Sequence, residues 1–246
     1  MPLKRMNEQE QCQTEIAEMA LDKYTPIYNE ERAEAIYKIF RKEGVHRVLD
    51  VGCGLGKVDV YLAKKGLDVC GIDVSPELIK LARQKAKKNK LNIKFELAQL
   101  EHLKVKQKFD AVLFAGVIEH IEDDEKLIRE AKRVLKDKGK IVITDLMAFN
   151  FLYNPRDRRI GHVRRYTKSL IRKKLIRQGY TDIKLFYYNF LMLLGSLYLI
   201  IFRKDEYPYG VLNPFLNKLI GWWYKYLENS FIFPIGDRLI AVATKK

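Results

Sequence analysis

The chain has 246 residues, of which 48 % are hydrophobic and 31 % are charged, and its formal net charge is +15. This composition excludes an intrinsically disordered chain, a collagen-like repeat and a small disulfide-rich protein. The three cysteines form no Cys-x-x-Cys pair, which argues against a disulfide framework or a structural zinc site and fits a reducing cytoplasm. The first 22 residues contain no apolar run behind their basic residues, so we expect no secretory signal.

Short apolar runs rich in β-branched residues alternate with helical patterns over most of the chain. We expect strands at 45–51, 67–73, 91–97, 109–117, 139–146, 181–189 and 236–246. The predicted helices run from a cap at Asn29 to Lys42, from Ser75-Pro76-Glu77 onwards, along an apolar stripe from Leu127 to Leu135, and from Thr167 to Gly179. This alternation predicts an α/β fold with a doubly wound, mostly parallel seven-stranded sheet that helices cover on both faces.

We predict three parts in the chain. Residues 1–27 form an N-terminal helical extension or lid, residues 28–189 and 236–246 form the core, and residues 190–235 form an apolar helical insertion before the last strand. Residues 185–202 contain no charge, a length that reaches the lower limit for a membrane span. A single span would separate the last strand from its sheet, so we expect no transmembrane helix.

Two arrangements of the insertion remain open. The first is a helical cap or dimer interface that buries four aliphatic side chains: Leu191, Leu194, Leu197 and Ile201. The second is a patch on a membrane surface with four aromatic residues at headgroup level: Trp222, Trp223, Tyr224 and Tyr226.

The strongest local signal is VLDVGCGLG at residues 48–56. Asp50 is the acid near the end of this predicted strand. Four turn residues follow it: Gly52, Cys53, Gly54 and Gly56. Glycines let the backbone turn tightly and let a ligand lie against its amides. The next predicted strand also ends in an acid, Asp73, which can accept hydrogen bonds from both ribose hydroxyls of a nucleoside. Because residue 57 is lysine, the G-x-G-x-x-G fingerprint of dinucleotide sites is absent.

At these residues the chain resembles the class I S-adenosylmethionine-dependent methyltransferases of the small-molecule and lipid-precursor type. VLDVGCGLG resembles their first motif, GIDVSPELIKLAR their second, and FDAVLFAGVIEHI (109–121) their fourth. AQLEHL (98–103) occupies the segment that faces the adenine, and GHVRRYTKSLIRKKLIRQGY resembles a later His-x-x-x-Tyr-Thr helix start. The resemblance covers about residues 28–189 and 236–246. It implies a Rossmann-like methyltransferase fold.

The resemblance also implies S-adenosylmethionine as cofactor, S-adenosylhomocysteine as product, and no metal. The cofactor-binding residues that it implies are Asp50, Gly52, Cys53, Gly54, Gly56, Asp73, Val74, Gln99, Leu100, Ala115 and Tyr28. Gln99 stands where an aspartate is common in the family, and Tyr24 and Tyr28 are either lid residues or ordinary core aromatics. His120 is implied near the transferred methyl, and we take His120 and Tyr166 as the candidate catalytic residues.

The turn after the fourth predicted strand reads AGVIEH, which is commoner among enzymes with small or lipid-like acceptors than among those that methylate nucleic acids. We therefore predict in-line methyl transfer to a small-molecule or lipid-like acceptor. We expect a cytoplasmic protein, either free or peripheral at the inner membrane face, that can form a homodimer. Two alternatives stay open: an RNA methyltransferase, and a protein that binds the cofactor without catalysis.

The RNA alternative depends on the uneven distribution of charge. Residues 1–150 carry 28 basic and 25 acidic groups, whereas residues 151–246 carry 18 basic and 6 acidic groups. Ten basic residues lie between Arg156 and Arg177 against one acid. If the acceptor or its membrane is anionic, we expect Arg164 and Arg165 to attract it.

Overall fold

The computed structural model describes residues 26–153, 157–158, 161–202, 218–219, 221–223, 226–228 and 234–246. Its main helices are α1 (Pro26–Lys42), α2 (Lys57–Lys64), α3 (Pro76–Lys88), α4 (Asp124–Val134), α5 (Lys168–Arg177) and α6 (Phe190–Ile201). Its strands are β1 (Arg47–Val51), β2 (Asp68–Asp73), β3 (Lys94–Leu97), β4 (Phe109–Ala115), β5 (Leu135–Met147), β6 (Tyr180–Tyr188) and β7 (Arg238–Lys245). The extension predicted over residues 1–27 lies outside the described residues, except that α1 begins at Pro26.

The seven strands form one sheet in the order β3-β2-β1-β4-β5-β7-β6. Strand β1 pairs in parallel with β2 and β4, and β4 pairs in parallel with β5, whereas β7 runs antiparallel to β5 and β6. The predicted seven-stranded, mostly parallel sheet is therefore confirmed. Because the strand order reverses between β1 and β4, the carboxyl ends of these strands border a crevice in which ligands of such sheets bind.

Two layers of apolar side chains bury the two faces of the sheet. On one face Leu49 and Phe114 pack with Ile128 of helix α4. On the other face Val48 and Leu113 pack with Phe40 of helix α1. Neighbouring residues of a strand point to opposite faces, so adjacent apolar residues of β1 and β4 supply both layers at once.

Helix starts at Ser75 and Thr167 agree with the predictions. The Ser75 hydroxyl accepts a hydrogen bond from the Leu78 amide at 3.3 Å, with Pro76 in the first helical turn. The Thr167 hydroxyl accepts one from the Leu170 amide at 3.1 Å. Each side chain satisfies an amide that the first turn of the helix leaves unpaired.

Two boundaries differ from the predictions. Helix α1 begins at Pro26, three residues before the predicted cap at Asn29, and proline is well suited to a first helical position. Helix α4 ends at Val134, and Leu135 instead begins β5, where it pairs with Phe109. An apolar residue that follows a helical stripe fits equally well into a buried strand, so the pattern alone does not fix this boundary.

Helix α6 is tied to the residues that follow it through Glu228. The buried Glu228 carboxylate accepts a hydrogen bond from the Phe190 amide and one from the Trp223 indole, both at 2.9 Å. A carboxylate at this end of a helix also meets the positive end of the helix dipole.

The aliphatic side chains of α6 are not buried as the predicted cap requires. Leu193 is buried, but the chain itself leaves 56 % of Leu194 and 69 % of Ile201 exposed, and Leu197 is exposed as well. None of the helices in the described part of the chain is long and apolar enough to span a bilayer.

The segment before α5 is held by a buried guanidinium. Arg165 is completely buried, donates to Asp157 Oδ2 at 3.0 Å and to the Ala148 carbonyl at 3.0 Å, and lies 3.5 Å from Asp237 Oδ1. Its neighbour Arg164 pairs with Asp124 at 2.9 Å. The expectation that Arg165 faces an anionic acceptor is therefore wrong, because the residue instead joins the ends of β5 and β7.

Replacing Arg165 is expected to test this role directly. Arg165→Ala leaves two buried carboxylates without their shared cation, which should lower the free energy of unfolding by about 3–5 kcal/mol. Arg177→Ala is the matched control, because Arg177 is exposed and pairs with Glu125 at the surface, a contact worth about 0–1 kcal/mol. Urea unfolding of both variants measures the difference, and equal losses would contradict the assignment.

Candidate functional site

The turn between β1 and α2 adopts a backbone that favours glycine. Gly52, Gly54 and Gly56 have φ values of +74°, +53° and +65°. A Cβ atom on Gly52 would also lie 2.6 Å from Val117 Cγ2, so the turn after β4 leaves no room for a side chain there. The two turns therefore meet at the point where the strand order reverses.

The amides of this turn are used inside the protein. Gly52 and Cys53 both donate to the Ile72 carbonyl, at 2.8 and 3.0 Å, and Gly54 donates to Asp73 Oδ2 at 2.9 Å. A phosphate cradle needs free amides that point at the ligand, so this turn is not one. The expectation that a ligand lies against bare amides is wrong at these three positions. Burial, and then the Asp59 charge, raise the pKa of the Cys53 thiol, which keeps the thiol unreactive.

Asp73 is held in place from two sides at the end of β2. Its Oδ1 accepts a hydrogen bond from the Ser75 amide at 3.0 Å, and its Oδ2 accepts the one from Gly54. Each oxygen of an ionised carboxylate can accept a second hydrogen bond. The structure thus fixes the Asp73 carboxylate beside the glycine turn with acceptor capacity to spare.

The residues implied at the adenine follow neighbouring strands. Val74 comes after β2 and is 60 % exposed, while the half-buried Gln99 follows β3 and precedes a short helical turn. A hydrogen bond of 3.0 Å from the Ala98 amide to the Asp73 carbonyl ties the two segments together. The side chain of Leu100 is buried in the core, so Leu100 can offer a ligand only its backbone.

Two buried carboxyl groups support the turn from below. Asp50 and Asp59 are both almost completely buried, and within the described part of the chain neither oxygen of Asp59 has a hydrogen-bond partner. Burial, followed by the neighbouring Asp59, holds the pKa of Asp50 well above its usual range, and burial raises the pKa of Asp59 to about 7. The end of β1 and the first turn of α2 therefore bring together two acids that favour the protonated state.

The carboxyl ends of β4 and β5 carry two acids that the sequence analysis missed. Asp145 has a φ of +63° and binds Arg32 at 3.1 Å and Arg238 at 3.4 Å. Glu119 is buried, and its Oε2 has no hydrogen-bond partner. Burial raises the pKa of Glu119 to about 8. The signal that identified Asp50 and Asp73, an acid at the end of a buried strand, also marks Asp145.

His120 lies on this side of the crevice beside a second histidine. The rings of His120 and His162 are 4.7 Å apart, and His120 Nδ1 is 3.3 Å from the Gly161 carbonyl oxygen. Burial, and then the nearby His162, lower the pKa of His120 to about 4, so its ring is neutral at pH 7. Ala115, half-buried, ends β4 five residues before His120.

The other predicted catalytic residue lies in the core. Tyr166 is completely buried, and its hydroxyl lies 2.7 Å from Asp124 Oδ2 and 3.2 Å from the Ile118 carbonyl oxygen. Burial, followed by the Asp124 charge, raises the pKa of Tyr166 far above its ordinary value. The predicted lid residue Tyr24 lies outside the described residues, and the structure describes only the backbone of Tyr28.

The buried carboxyl pair predicts how stability depends on pH. From about pH 4 to 7 the folded chain keeps a proton at Asp59 that the unfolded chain has released, because the folded pKa of about 7 exceeds the ordinary 3.8. The free energy of unfolding should fall as pH rises over this interval, by up to about 1.4 kcal/mol per pH unit for one extra proton. The raised pKa values of Asp50 and Glu119 act in the same direction, so Asp59→Asn should make this dependence shallower, whereas Asp68→Asn, at the exposed start of β2, should leave it unchanged. Urea titrations across the interval measure the slope, and an unchanged slope in Asp59→Asn would refute the raised pKa of Asp59.

Comparison with known proteins identifies the family. A family profile described as "Methyltransferase domain" matches residues 49–143. A ubiquinone biosynthesis O-methyltransferase of Pelagibacter ubique is 40 % identical over 100 residues, which cover 41 % of this chain and 42 % of that protein. A protein of the same name from Coxiella burnetii is 30 % identical over 155 residues, which cover 59 % of this chain and 66 % of that one. The matches thus span about half to two thirds of these relatives.

Solved structures agree on the fold. Magnesium protoporphyrin IX methyltransferase from Synechocystis PCC 6803, with bound SAH, superposes with a TM-score of 0.59 at 17 % identity, covering 92 % of this chain and 87 % of that one. At this identity the likeness concerns the fold alone. Together with the motifs at β1, β2 and β4, these matches identify a methyltransferase domain at residues 49–143 and support a class I S-adenosylmethionine-dependent methyltransferase.

Proposed function

We propose that the protein binds S-adenosylmethionine in the crevice between β1 and β4 and transfers its methyl group to a small-molecule acceptor. The observation that carries the proposal is the placement of Asp73, a charged acceptor fixed beside the glycine turn. Because the turn uses its amides internally, a ligand with phosphates finds no cradle there. A nucleoside with free ribose hydroxyls suits the site better.

The residues fit S-adenosylmethionine part by part. The Asp73 carboxylate would accept hydrogen bonds from the ribose hydroxyls, and the exposed Val74 would cover one face of the adenine. The Gln99 amide would bond to the adenine amino group. The positive φ values of Gly52 and Gly54 let the chain turn sharply here, and the amino-acid part of the ligand would lie beside this turn. When bound, S-adenosylmethionine supplies an electrophilic methyl group on a sulfonium.

His120 would act on the acceptor. If the acceptor is a hydroxyl, its proton must leave as the oxygen attacks in line with the sulfonium. The low pKa of His120 keeps the ring neutral, so it can accept a hydrogen bond or a proton at pH 7. The names of the two curated relatives favour an oxygen acceptor. Tyr166, whose hydroxyl is occupied by Asp124, would position the turn that carries His120.

Helix α6 supports a partly apolar acceptor. Strand β6 runs in the same direction as β5, because both are antiparallel to β7, so α6 follows at the carboxyl edge of the sheet. There it contacts the helical turn at Asn150–Leu152, directly after β5. Exposed leucines at this edge would meet a lipid-like acceptor, or the membrane that holds one.

The basic segment gives the RNA alternative little support. Four of its ten cations are used in ion pairs inside the chain: Arg164, Arg165, Lys174 and Arg177. Lys168 lies over the Tyr187 ring, with its nitrogen 4.0 Å from the ring centre. These charges stabilise the fold around α5, so they are not a free surface for phosphates.

Cofactor binding is the first test. Asp73→Ala removes charge-assisted contacts with the ribose, and we expect S-adenosylmethionine affinity to fall by about 1.5–3 kcal/mol in calorimetric titrations. Asp68→Ala, with an exposed carboxylate at the other end of β2, should bind like wild type. NAD should show no saturable binding. Unchanged affinity in Asp73→Ala, with folding verified by circular dichroism, would refute the assigned site.

Transfer is the second test. S-adenosylmethionine with a labelled methyl is incubated with phenolic and lipid-like acceptors in neutral and anionic liposomes, and separately with bulk tRNA. Label should pass to a hydroxyl-bearing small molecule. Label in tRNA would favour the RNA alternative, and binding of the cofactor without any transfer would favour a non-catalytic protein.

Variants of the two predicted catalytic residues, His120 and Tyr166, are expected to have different effects in the same assay. His120→Ala is expected to lower kcat by about 10²–10⁴-fold without changing the S-adenosylmethionine Kd, since proton transfer by a positioned side chain contributes this much. Tyr166→Phe should mainly lower the free energy of unfolding, by about 1–3 kcal/mol, because Asp124 loses a buried partner. A fall in kcat at unchanged stability in Tyr166→Phe would instead place its hydroxyl in the chemistry.

A further inference from the structure

Three potential metal ligands converge at the end of β4. One ligand atom from each of Glu119, His120 and His162 lies within 4.8 Å of the other two. Glu119 and His120 come from the turn after β4, whereas His162 comes from the segment before α5. A hydrogen bond of 2.8 Å from the Val163 amide to the Glu119 carbonyl oxygen fixes the two segments side by side.

We propose that Glu119, His120 and His162 bind a first-row divalent cation of the zinc type. Two imidazoles and one carboxylate are a ligand set that proteins use for Zn²⁺ and Fe²⁺ when one or more positions stay open. Ligand atoms around a tetrahedral zinc ion lie about 3.3 Å apart, so the side chains need to close by about 1.5 Å at most. The sequence analysis expected no metal, because the cysteines form no zinc motif and the family resemblance implies none.

The unpartnered carboxylate oxygen is the first supporting observation. Glu119 is 1 % exposed, and among the described residues its Oε2 has no hydrogen-bond partner. A buried polar atom without a partner is costly, and a cation is one way to satisfy it. Arg32 and Arg238, whose charges act on Glu119, form their ion pairs with Asp145.

The orientation of the two rings is the second observation. His162 Nδ1 lies 3.0 Å from Asp157 Oδ1, and His120 Nδ1 lies 3.3 Å from the Gly161 carbonyl oxygen. Histidine ligands in metal sites usually donate one ring nitrogen to a carboxylate or carbonyl and coordinate with the other. Both rings have this second contact here, and for His162 the carboxylate is anchored in turn by Arg165. In each ring Nε2 is then the coordinating nitrogen. A His120 ring that holds the cation cannot also accept a proton from the acceptor, so its proposed role as a base applies to the metal-free chain.

Metal content tests the proposal without any reference to methyl transfer. The full chain is stripped with a chelator, dialysed against Zn²⁺ and analysed for bound metal, and Co²⁺ is added separately to record the visible spectrum of its site. We expect one Zn²⁺ per chain and the strong visible bands of a Co²⁺ ion in low coordination with nitrogen ligands. Glu119→Gln and His120→Ala should each raise the Zn²⁺ Kd at least tenfold.

Matched controls separate this site from adventitious binding. His102→Ala and His46→Ala remove exposed histidines elsewhere on the chain and should leave the Zn²⁺ Kd unchanged. Part of His120 is accessible to solvent, although neighbouring atoms shield its ring nitrogens, so its variant is expected to fold, as circular dichroism will verify. A folded wild type that takes up no stoichiometric Zn²⁺ or Co²⁺, or a Kd unaffected in both ligand variants, would overturn the proposal. Calorimetry with S-adenosylmethionine on the same samples reports the proposed function independently.

Discussion

The architecture of the crevice depends on one pair of hydrogen bonds. The carbonyl of Ile72, near the end of β2, accepts the amides of both Gly52 and Cys53. This contact bends the chain sharply after β1 and brings the next amide, that of Gly54, to Asp73. The pairing of β1 with β2, the glycine turn and the Asp73 side chain are therefore linked by hydrogen bonds, and a change at any of them is expected to disturb the others. The amides of Gly52, Cys53 and Gly54 are therefore not available to a phosphate.

Two kinds of buried charge sit on the two sides of this crevice. On the β1 side, burial and then the neighbouring Asp59 raise the pKa of Asp50, so this pair of acids favours protonation over two buried negative charges. On the β5 side, Asp145 pairs with Arg32 and Asp157 pairs with Arg165. These ion pairs surround the turn that carries His120, and removing one partner of a buried pair leaves an uncompensated charge in the core.

Much of the fold could be predicted from local patterns. The strands at 45–51 and 109–117 contain adjacent apolar residues, a pattern typical of strands that are buried on both faces. The helix caps at Ser75 and Thr167 are visible in the sequence because a cap depends only on neighbouring residues. The boundary at Leu135 could not be predicted, because an apolar residue after a helical stripe suits either element. The exposure of Leu194 and Ile201 in α6 could not be predicted either, since hydrophobicity shows what prefers to be covered and not what covers it.

The candidate site was predictable on one side only. Asp50, the glycines and Asp73 lie within one strand-turn-helix-strand unit. Their positions in the sequence are therefore enough to predict that they lie close together in the fold. The other side is assembled from the turn after β4, the end of β5 and the segment before α5. Arg165, which a charge count assigns to a basic surface, is the residue that holds this assembly together through Asp157 and Asp237. Asp157 also contacts His162. Arg165, which shows no such role in the sequence, therefore fixes the position of the His162 ring through Asp157. Long-range ion pairs of this kind leave no periodic trace, which is why only the folded chain reveals the cluster of Glu119 and the two histidines.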